Sequence, residues 1–307
     1  MNDGNIRFAT YVESIPELAN ACRMTESLRT FGGRFARKPV SVYAGPKASE
    51  PTDSLRAEIA AHRISLSTVE APPESLEFFY ATKVYAAARA EQDAVDLDTL
   101  VWLDNDTIII GEPSDLALGA GRSLAYCPVM HNRSGVRYES EPDEFWSRIY
   151  RLLGLTDDML FPMVTPADRQ KIKAYFHCGL LAVQPRKGVL HRWLDDFEKL
   201  YHDPELIEMC RTNVTNRIFL HQTALTGAVL NVLDRNELFE LPERYNYPIF
   251  FERQFEAARK FDRIDDVVTV RHVVSEDNLG PDWHRELCGP SEKVAWLYER
   301  ITGSEPG

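Results

Sequence analysis

Apolar positions along the first hundred residues alternate between two rhythms. Ile6 to Val12, Val40 to Tyr43 and Ile64 to Val69 are short apolar runs that read as strands. Between them, Ile15 to Leu28 carries Leu18, Ala21, Cys22 and Leu28 at helical spacing, and a polar, helix-like stretch follows the Ala44-Gly45-Pro46 turn. Glu74 to Glu91 predicts another helix, with Leu76, Phe79, Tyr80, Val84 and Ala87 on one face. Lys83 lies on or beside that face, so it needs an acidic or phosphate partner or must snorkel outward. Strands alternating with helices predict an α/β fold around a central mixed, mostly parallel sheet flanked by helices.

Leu100 to Leu103 and Thr107 to Ile110 are apolar runs on either side of Asp104-Asn105-Asp106. The rhythm breaks from about Met130 to Tyr175, where charged clusters surround one expected helix, Asp143 to Leu153; this reads as an insertion, residues 130–175, over one edge of the sheet. Phe176 to Val183 returns to strand character. Val189, Leu190, Trp193, Leu194, Phe197, Leu200 and Tyr201 then define an amphipathic helix, and Trp193 and its neighbours read as core. Phe219 to Val232 is a further helix, entered through His221-Gln222, and Val267 to Val274 alternates as a late strand. The expected organisation is one Rossmann-like domain over residues 1–303 with a frayed tail, 304–307.

Composition narrows the classes. Hydrophobic residues make up 44% of the 307 and charged residues 27%, an ordinary globular balance rather than a disordered one. The net charge of -12 at pH 7 repels nucleic-acid backbones, so a nucleic-acid binder is not expected. No run approaches the roughly 18 apolar residues of a membrane span, and no signal-peptide pattern is visible. The cysteines Cys22, Cys127, Cys178, Cys210 and Cys288 are odd in number and scattered, with no CxxC pair. Reduced thiols in a cytoplasmic protein are the expectation. Cys178 in an apolar strand reads as a small buried residue rather than a nucleophile.

The chemistry centres on the acidic triplet. Asp104 ends an apolar strand, and ligands of open α/β sheets sit beyond the carboxyl ends of strands. Paired carboxylates there suit a hard divalent cation, Mn2+ or Mg2+, bridging to a diphosphate whose leaving charge must be neutralised. The alternative is a solvated turn after a strand. At the end of the first strand, Thr10 and Tyr11 are candidate nucleotide contacts. Tyr11 is suited to stack on a base, against an alternative of core packing.

Val101-Trp-Leu-Asp-Asn-Asp-Thr-Ile-Ile-Ile110 resembles the metal-binding segment of GT-A glycosyltransferases, especially the glycogenin-like family 8. Further segments match in order. Ser27-Leu-Arg-Thr-Phe-Gly-Gly33 is similar to the family's first helix, Ala81-Thr-Lys-Val84 to its Thr-Lys helix, and Phe176-His-Cys-Gly-Leu-Leu-Ala-Val-Gln-Pro185 to its Phe-Asn-Ser-Gly strand. His221-Gln222 aligns with an Asp-Gln pair, and Leu241-Pro-Glu-Arg-Tyr-Asn246 with a Leu-Pro-x-x-Tyr-Asn stretch. The resemblance spans residues 6–46, 76–128 and 174–278.

It implies a retaining glycosyltransferase with a nucleotide-diphosphate donor, usually UDP-linked. Asp104, Asp106 and His272 would hold the metal. Asp104, Asn105, Thr10, Tyr11, Lys83 and His177 would line the donor site, with His221 and Gln222 near the transferred sugar. His284 is the fallback metal ligand, and the alternative for His272 is a hydrogen-bonded core histidine. Two departures stand out: His177-Cys178 replaces an Asn-Ser or Asn-Thr, and His221 replaces an Asp. They leave open a nucleotide-sugar-binding protein that has lost catalysis. A nucleotidyltransferase would need a Gly-rich loop, which Thr10-Tyr-Val-Glu-Ser14 lacks. The acceptor (glycan, lipid-linked sugar, protein or small molecule) is not encoded in these motifs.

Overall fold

The computed structural model describes residues 4–249, 261, 263–272 and 291–302. The strands in chain order are β1 (Ile6–Val12), β2 (Val40–Ala44), β3 (Ile64–Thr68), β4 (Thr99–Asp104), β5 (Thr107–Ile109), β6 (Leu124–Pro128), β7 (Pro162–Val164), β8 (Lys171–Lys173), β9 (Phe176–Val183), β10 (Leu238–Glu240), β11 (Tyr247–Pro248) and β12 (Thr269–Arg271). The helices are α1 (Ile15–Phe31), α2 (Asp53–Ala61), α3 (Ala81–Gln92), α4 (Glu144–Leu153), α5 (Val189–Tyr201), α6 (Pro204–Thr212), α7 (Val214–Val232) and α8 (Ser291–Thr302).

A seven-stranded sheet in the order β10, β6, β9, β4, β1, β2, β3 forms the centre. Strands β1 to β4 run parallel, and β9 is antiparallel to both neighbours, β4 and β6. The expected mixed, mostly parallel sheet is therefore observed. Its strands are apolar on both faces because both are covered. On β4, Leu100 and Trp102 pack into the core beneath α3, α5 and α7, while Val101 and Leu103 pack on the opposite side with Leu28 of α1.

Local chemistry explains the helix boundaries. Ser14 caps α1 by accepting from the Glu17 amide, and Asp143 caps α4 by accepting from the Trp146 amide. Within residues 130–175, α4 packs against α5, α6 and α7, and β7 and β8 form a separate hairpin. Among the described residues no helix is long and apolar enough to cross a membrane. Cys22, Cys127, Cys178 and Cys210 are buried free thiols.

Two expectations need correction, and one strand takes a place the sequence left open. The helix from Glu74 is not continuous: a short turn covers Pro73–Glu77, the chain extends at Phe78, and Tyr80 adopts a left-handed φ of 62° before α3 begins. Leu76, Phe79 and Tyr80 are exposed instead of sharing a buried face with Val84. Helix α7 begins at Val214, so His221 lies in its second turn rather than at its entry. Thr107 to Ile109 leaves the main sheet and pairs with β12 in a small sheet with β11. The late strand is described only to Arg271. Residues 273 and 274, His284, Cys288 and the 304–307 tail lie outside the described residues.

Candidate functional site

Strand register sets the site. In the parallel pairing of β1 with β4, Tyr11 lies opposite Asp104 at the carboxyl ends of both strands. Strand β9 runs the other way, pairing Leu180 with Leu103, so His177, Cys178 and Gly179 reach the same edge. Gly179 is required there: a Cβ would collide with Asp104 Oδ2 and lie 2.6 Å from His177 Cε1. Lys83 comes from the first turn of α3, and His221 and Gln222 from α7. Strand β12 places Arg271 opposite Thr107 on β5, immediately after Asp106. The resulting cavity, about 600 Å3, is lined by Tyr11, Lys83, Asp104, Asn105, Asp106, His177, Cys178, His221, Gln222 and Arg271 among others, a size typical of ligand sites.

The floor of this cavity is an ion cluster, buried at Lys83 and Asp106 and partly buried at Asp104 and Arg271. Lys83, 7% exposed, donates to Asp104 Oδ1. Arg271 Nη1 lies 3.1 Å from Asp104 Oδ2. Its Nε and Nη2 grip Asp106, with Nε 2.9 Å from Oδ1 and Nη2 2.6 Å from Oδ2. Such bidentate pairs are strong and geometrically specific. Burial disfavours the Asp104 carboxylate, but Lys83 and Arg271 outweigh it and hold its pKa below the ordinary range. Asp106 is raised, because burial acts on it with Arg271 as its main counter-charge and the Asp104 charge beside it. Arg271 and Lys83 are both raised despite burial, by the carboxylates they face.

The two histidines in the cavity are neutral. Burial, then Lys83, pushes His221 down to about 3; burial, then Arg271, does the same to His177. His221 Nδ1 lies 2.9 Å from the Ile218 carbonyl, which can only accept, so Nδ1 carries the proton and Nε2 is the acceptor. The Cys178 thiol lies 3.3 Å from that Nε2 and 3.3 Å from Gln222 Oε1, two acceptors that share its one proton. Burial raises the Cys178 pKa, so the pair is thiol and imidazole, not thiolate and imidazolium. Gln222 Oε1 accepts from the Cys178 amide at 3.4 Å, and the Trp193 indole donates to the His221 carbonyl at 2.6 Å, fixing this part of α7. Asn105 donates to the Tyr11 carbonyl at 2.9 Å and ties the triplet to β1.

The structure thus brings Tyr11, Lys83, Asp104, Asn105, Asp106, His177, His221 and Gln222 to one cavity. Thr10 and His272 are not part of its lining. Thr10 is fully buried within β1. His272 donates its backbone N–H to the Asp106 carbonyl at 3.1 Å, but its ring, 5% exposed, has no hydrogen-bond partner for Nε2 among the described residues. The position facing the carboxylates belongs to Arg271.

A divalent cation does not fit this arrangement. The four carboxylate oxygens of Asp104 and Asp106 are all engaged by Lys83 or Arg271. Among the described residues no group of three His, Cys, Asp or Glu side chains is placed to hold a metal.

Sequence reasoning did not single out Arg271 or Tyr80. Tyr80 caps α3 in the left-handed region, which a bulky residue adopts only when its surroundings impose it. Its ring sits 4.9 Å from His221 and 5.9 Å from the Lys83 ammonium.

The fold is that of the GT-A glycosyltransferases. Among solved structures, the galactosyltransferase LgtC in complex with donor and acceptor sugar analogues matches with a TM-score of 0.52 at 12% identity, over 94% of this chain and 95% of that one. An active-site mutant of LgtC matches at 0.50 and 13% identity, over 91% and 93%. Mouse xyloside xylosyltransferase 1 in its apo form matches at 0.47 and 11%, over 88% and 98%. No curated protein sequence matches the chain. The model of the Rhodobacterales glycosyltransferase domain family matches residues 11–232, more than half of the chain, and the protein belongs to that family. It is a glycosyltransferase.

Proposed function

We propose that the protein transfers a sugar from a nucleotide-diphosphate donor, with UDP as the nucleotide, to an acceptor hydroxyl, retaining the anomeric configuration. The observation that carries this reading is the pair of cations, the buried Lys83 and the partly buried Arg271, lining a cavity at the carboxyl ends of β1 and β4. There the nucleotide lies toward Tyr11 and Asn105, and the diphosphate toward Lys83 and Arg271. As the bond to the sugar breaks, negative charge grows on the leaving diphosphate, and fixed cations in a water-poor site stabilise it more than solvent does. Cys178, His221 and Gln222 form the wall beside the transferred sugar. Exposed Leu76, Phe79 and Tyr80 edge the mouth, where an acceptor ring would pack. The family resemblance implies Mn2+ or Mg2+, which the ion cluster does not accommodate.

The test is to incubate the protein with a panel of UDP-, GDP- and CDP-sugars and measure nucleotide release with and without acceptor glycosides, then determine the product anomer by proton NMR. UDP-sugar turnover stimulated by an acceptor is expected. Neither binding nor release with any nucleotide sugar would sink the reading. A neutral imidazole at His221, where the resembling family has a carboxylate, favours a second reading, donor binding without transfer. Saturable donor binding with no turnover on any acceptor would select it.

A further inference from the structure

We propose that Arg271, together with Lys83, supplies from the protein itself the positive charge that holds the donor diphosphate, so that this site binds its nucleotide without a divalent cation. The inference rests on the donor reading above and goes beyond it by assigning the cation.

Geometry carries the argument. Arg271 is the last residue of β12, and its neighbour His272 donates a backbone hydrogen bond to the Asp106 carbonyl. The guanidinium is therefore delivered from a backbone locked to the triplet rather than from a distant surface. Its head takes the space between the two carboxylates, where a metal bridging them would stand. It holds Asp106 through Nε and Nη2 and reaches Asp104 through Nη1. Admitting a metal would require the guanidinium to leave both partners while staying in a buried cavity, which is costly for an unpaired charge.

Two carboxylates alone would repel a diphosphate. With Lys83 and Arg271 paired to them the ion cluster is neutral, and because the lining also carries Glu13, Glu17 and Lys47, an incoming phosphate is held by direct contact with cations in fixed orientation rather than by net charge. Donor capacity remains. The contacts to Asp106 and Asp104 use the Arg271 Nε–H, one Nη2–H and one Nη1–H, leaving the second Nη2–H and the second Nη1–H; His177 Nδ1 accepts from the Gly179 amide, so its Nε2 carries the proton and takes none from Arg271. Lys83 spends one N–H on Asp104 and directs another toward Cys178 Sγ at 3.5 Å, leaving a third. Both side chains line the cavity. Arginine suits this task because its planar fork binds carboxylate on one edge and phosphate on another. In this arrangement Asp104 and Asp106 are positioning residues: they hold the two cations rather than a metal.

The deciding experiment is calorimetric titration of UDP into the full chain in EDTA and, separately, with Mn2+ added. The wild type is expected to bind UDP in EDTA, with Mn2+ changing the affinity by less than about twofold. Arg271→Ala should weaken binding in EDTA by about 10- to 100-fold, the loss expected when charge-assisted hydrogen bonds to phosphate are removed, and Arg271→Lys should recover part of it. A thermal melt of each variant confirms that it is folded. If Arg271→Ala does not fold, the wild-type comparison and Arg271→Lys still decide. UDP binding that appears only with Mn2+, or Arg271→Ala binding UDP in EDTA as the wild type does, overturns the inference while leaving the donor reading intact. No UDP binding under either condition overturns both.

Discussion

Replacing Lys83 with Met tests the ion cluster as a structural unit. Methionine keeps the length and apolar stem of lysine but removes the ammonium that donates to Asp104 Oδ1. Asp104 then retains Arg271, 3.1 Å from Oδ2, but its side chain, 17% exposed, has one oxygen left without a protein partner. Breaking a buried pair by removing one partner costs about 3–5 kcal/mol, and the surviving Arg271 places the loss near the lower end, about 3 kcal/mol. The pH dependence follows from Asp104, whose folded pKa is held below its unfolded value by Lys83 and Arg271 against burial. A depressed carboxylate contributes stability that is fully present above its unfolded pKa of about 3.9 and lost as pH falls through the folded value. The stability gap between wild type and Lys83→Met should therefore be full at pH 7 and narrow below about pH 4. Urea unfolding followed by tryptophan fluorescence across this range measures it. A loss below about 1 kcal/mol at pH 7, as an exposed pair would give, or a gap that does not change with pH, would refute the reasoning.

Other sites give independent checks. Gly179→Ala introduces a Cβ against Asp104 Oδ2 and His177 Cε1, so a stability loss of about 1–3 kcal/mol is expected in urea, with weaker UDP affinity by calorimetry. Ser27 accepts from the Ile109 amide at 2.9 Å and donates to the Met24 carbonyl at 2.6 Å, tying α1 to β5. Ser27→Ala leaves that buried amide unpartnered and should cost about 1–3 kcal/mol in thermal or urea unfolding. Glu91 is pushed up to about 7 by burial, against hydrogen bonds from the Leu190 and His191 amides at the start of α5. A raised acid favours the folded state when protonated, so wild-type stability should decline from pH 5 to pH 7.5, and Glu91→Gln should flatten that slope in urea midpoints.

The fold was legible wherever periodicity and burial agree. β1, β9 and α5 start and end where the apolar runs do, because each is buried along its length and bounded by turn or capping signals. Helix α3 was misread for the opposite reason. Leu76, Phe79 and Tyr80 fit a helical stripe with Val84, but at the cavity mouth they face outward, and the chain does not become helical until after the left-handed Tyr80. An apolar stripe at helical spacing does not separate a core face from a ligand-facing edge. Likewise β5 continues the apolar run of β4 in sequence, yet the Asp104-Asn105-Asp106 break lets it turn away to pair with β12.

Within the site, the triplet and Lys83 were readable because a charged residue among apolar neighbours demands a partner, and the strand-end rule says where to look for it. Arg271 was not, since its role depends on how β12 registers against β5, a tertiary relation. Yet the late strand held part of the answer. Residues two apart share a face of a strand, so His272 lies with Val268 and Val270 while Thr269 and Arg271 point the other way. Val270 packs in a core cluster with Ile108 and Ile110, and the His272 ring is buried, whereas Arg271 reaches the cavity. A one-residue slip in register exchanges the two faces. Turning His272 toward the carboxylates would turn the valine face toward a polar cavity. The hydrophobic pattern argues against that placement, and it leaves Arg271 as the side chain from this strand able to meet Asp104 and Asp106.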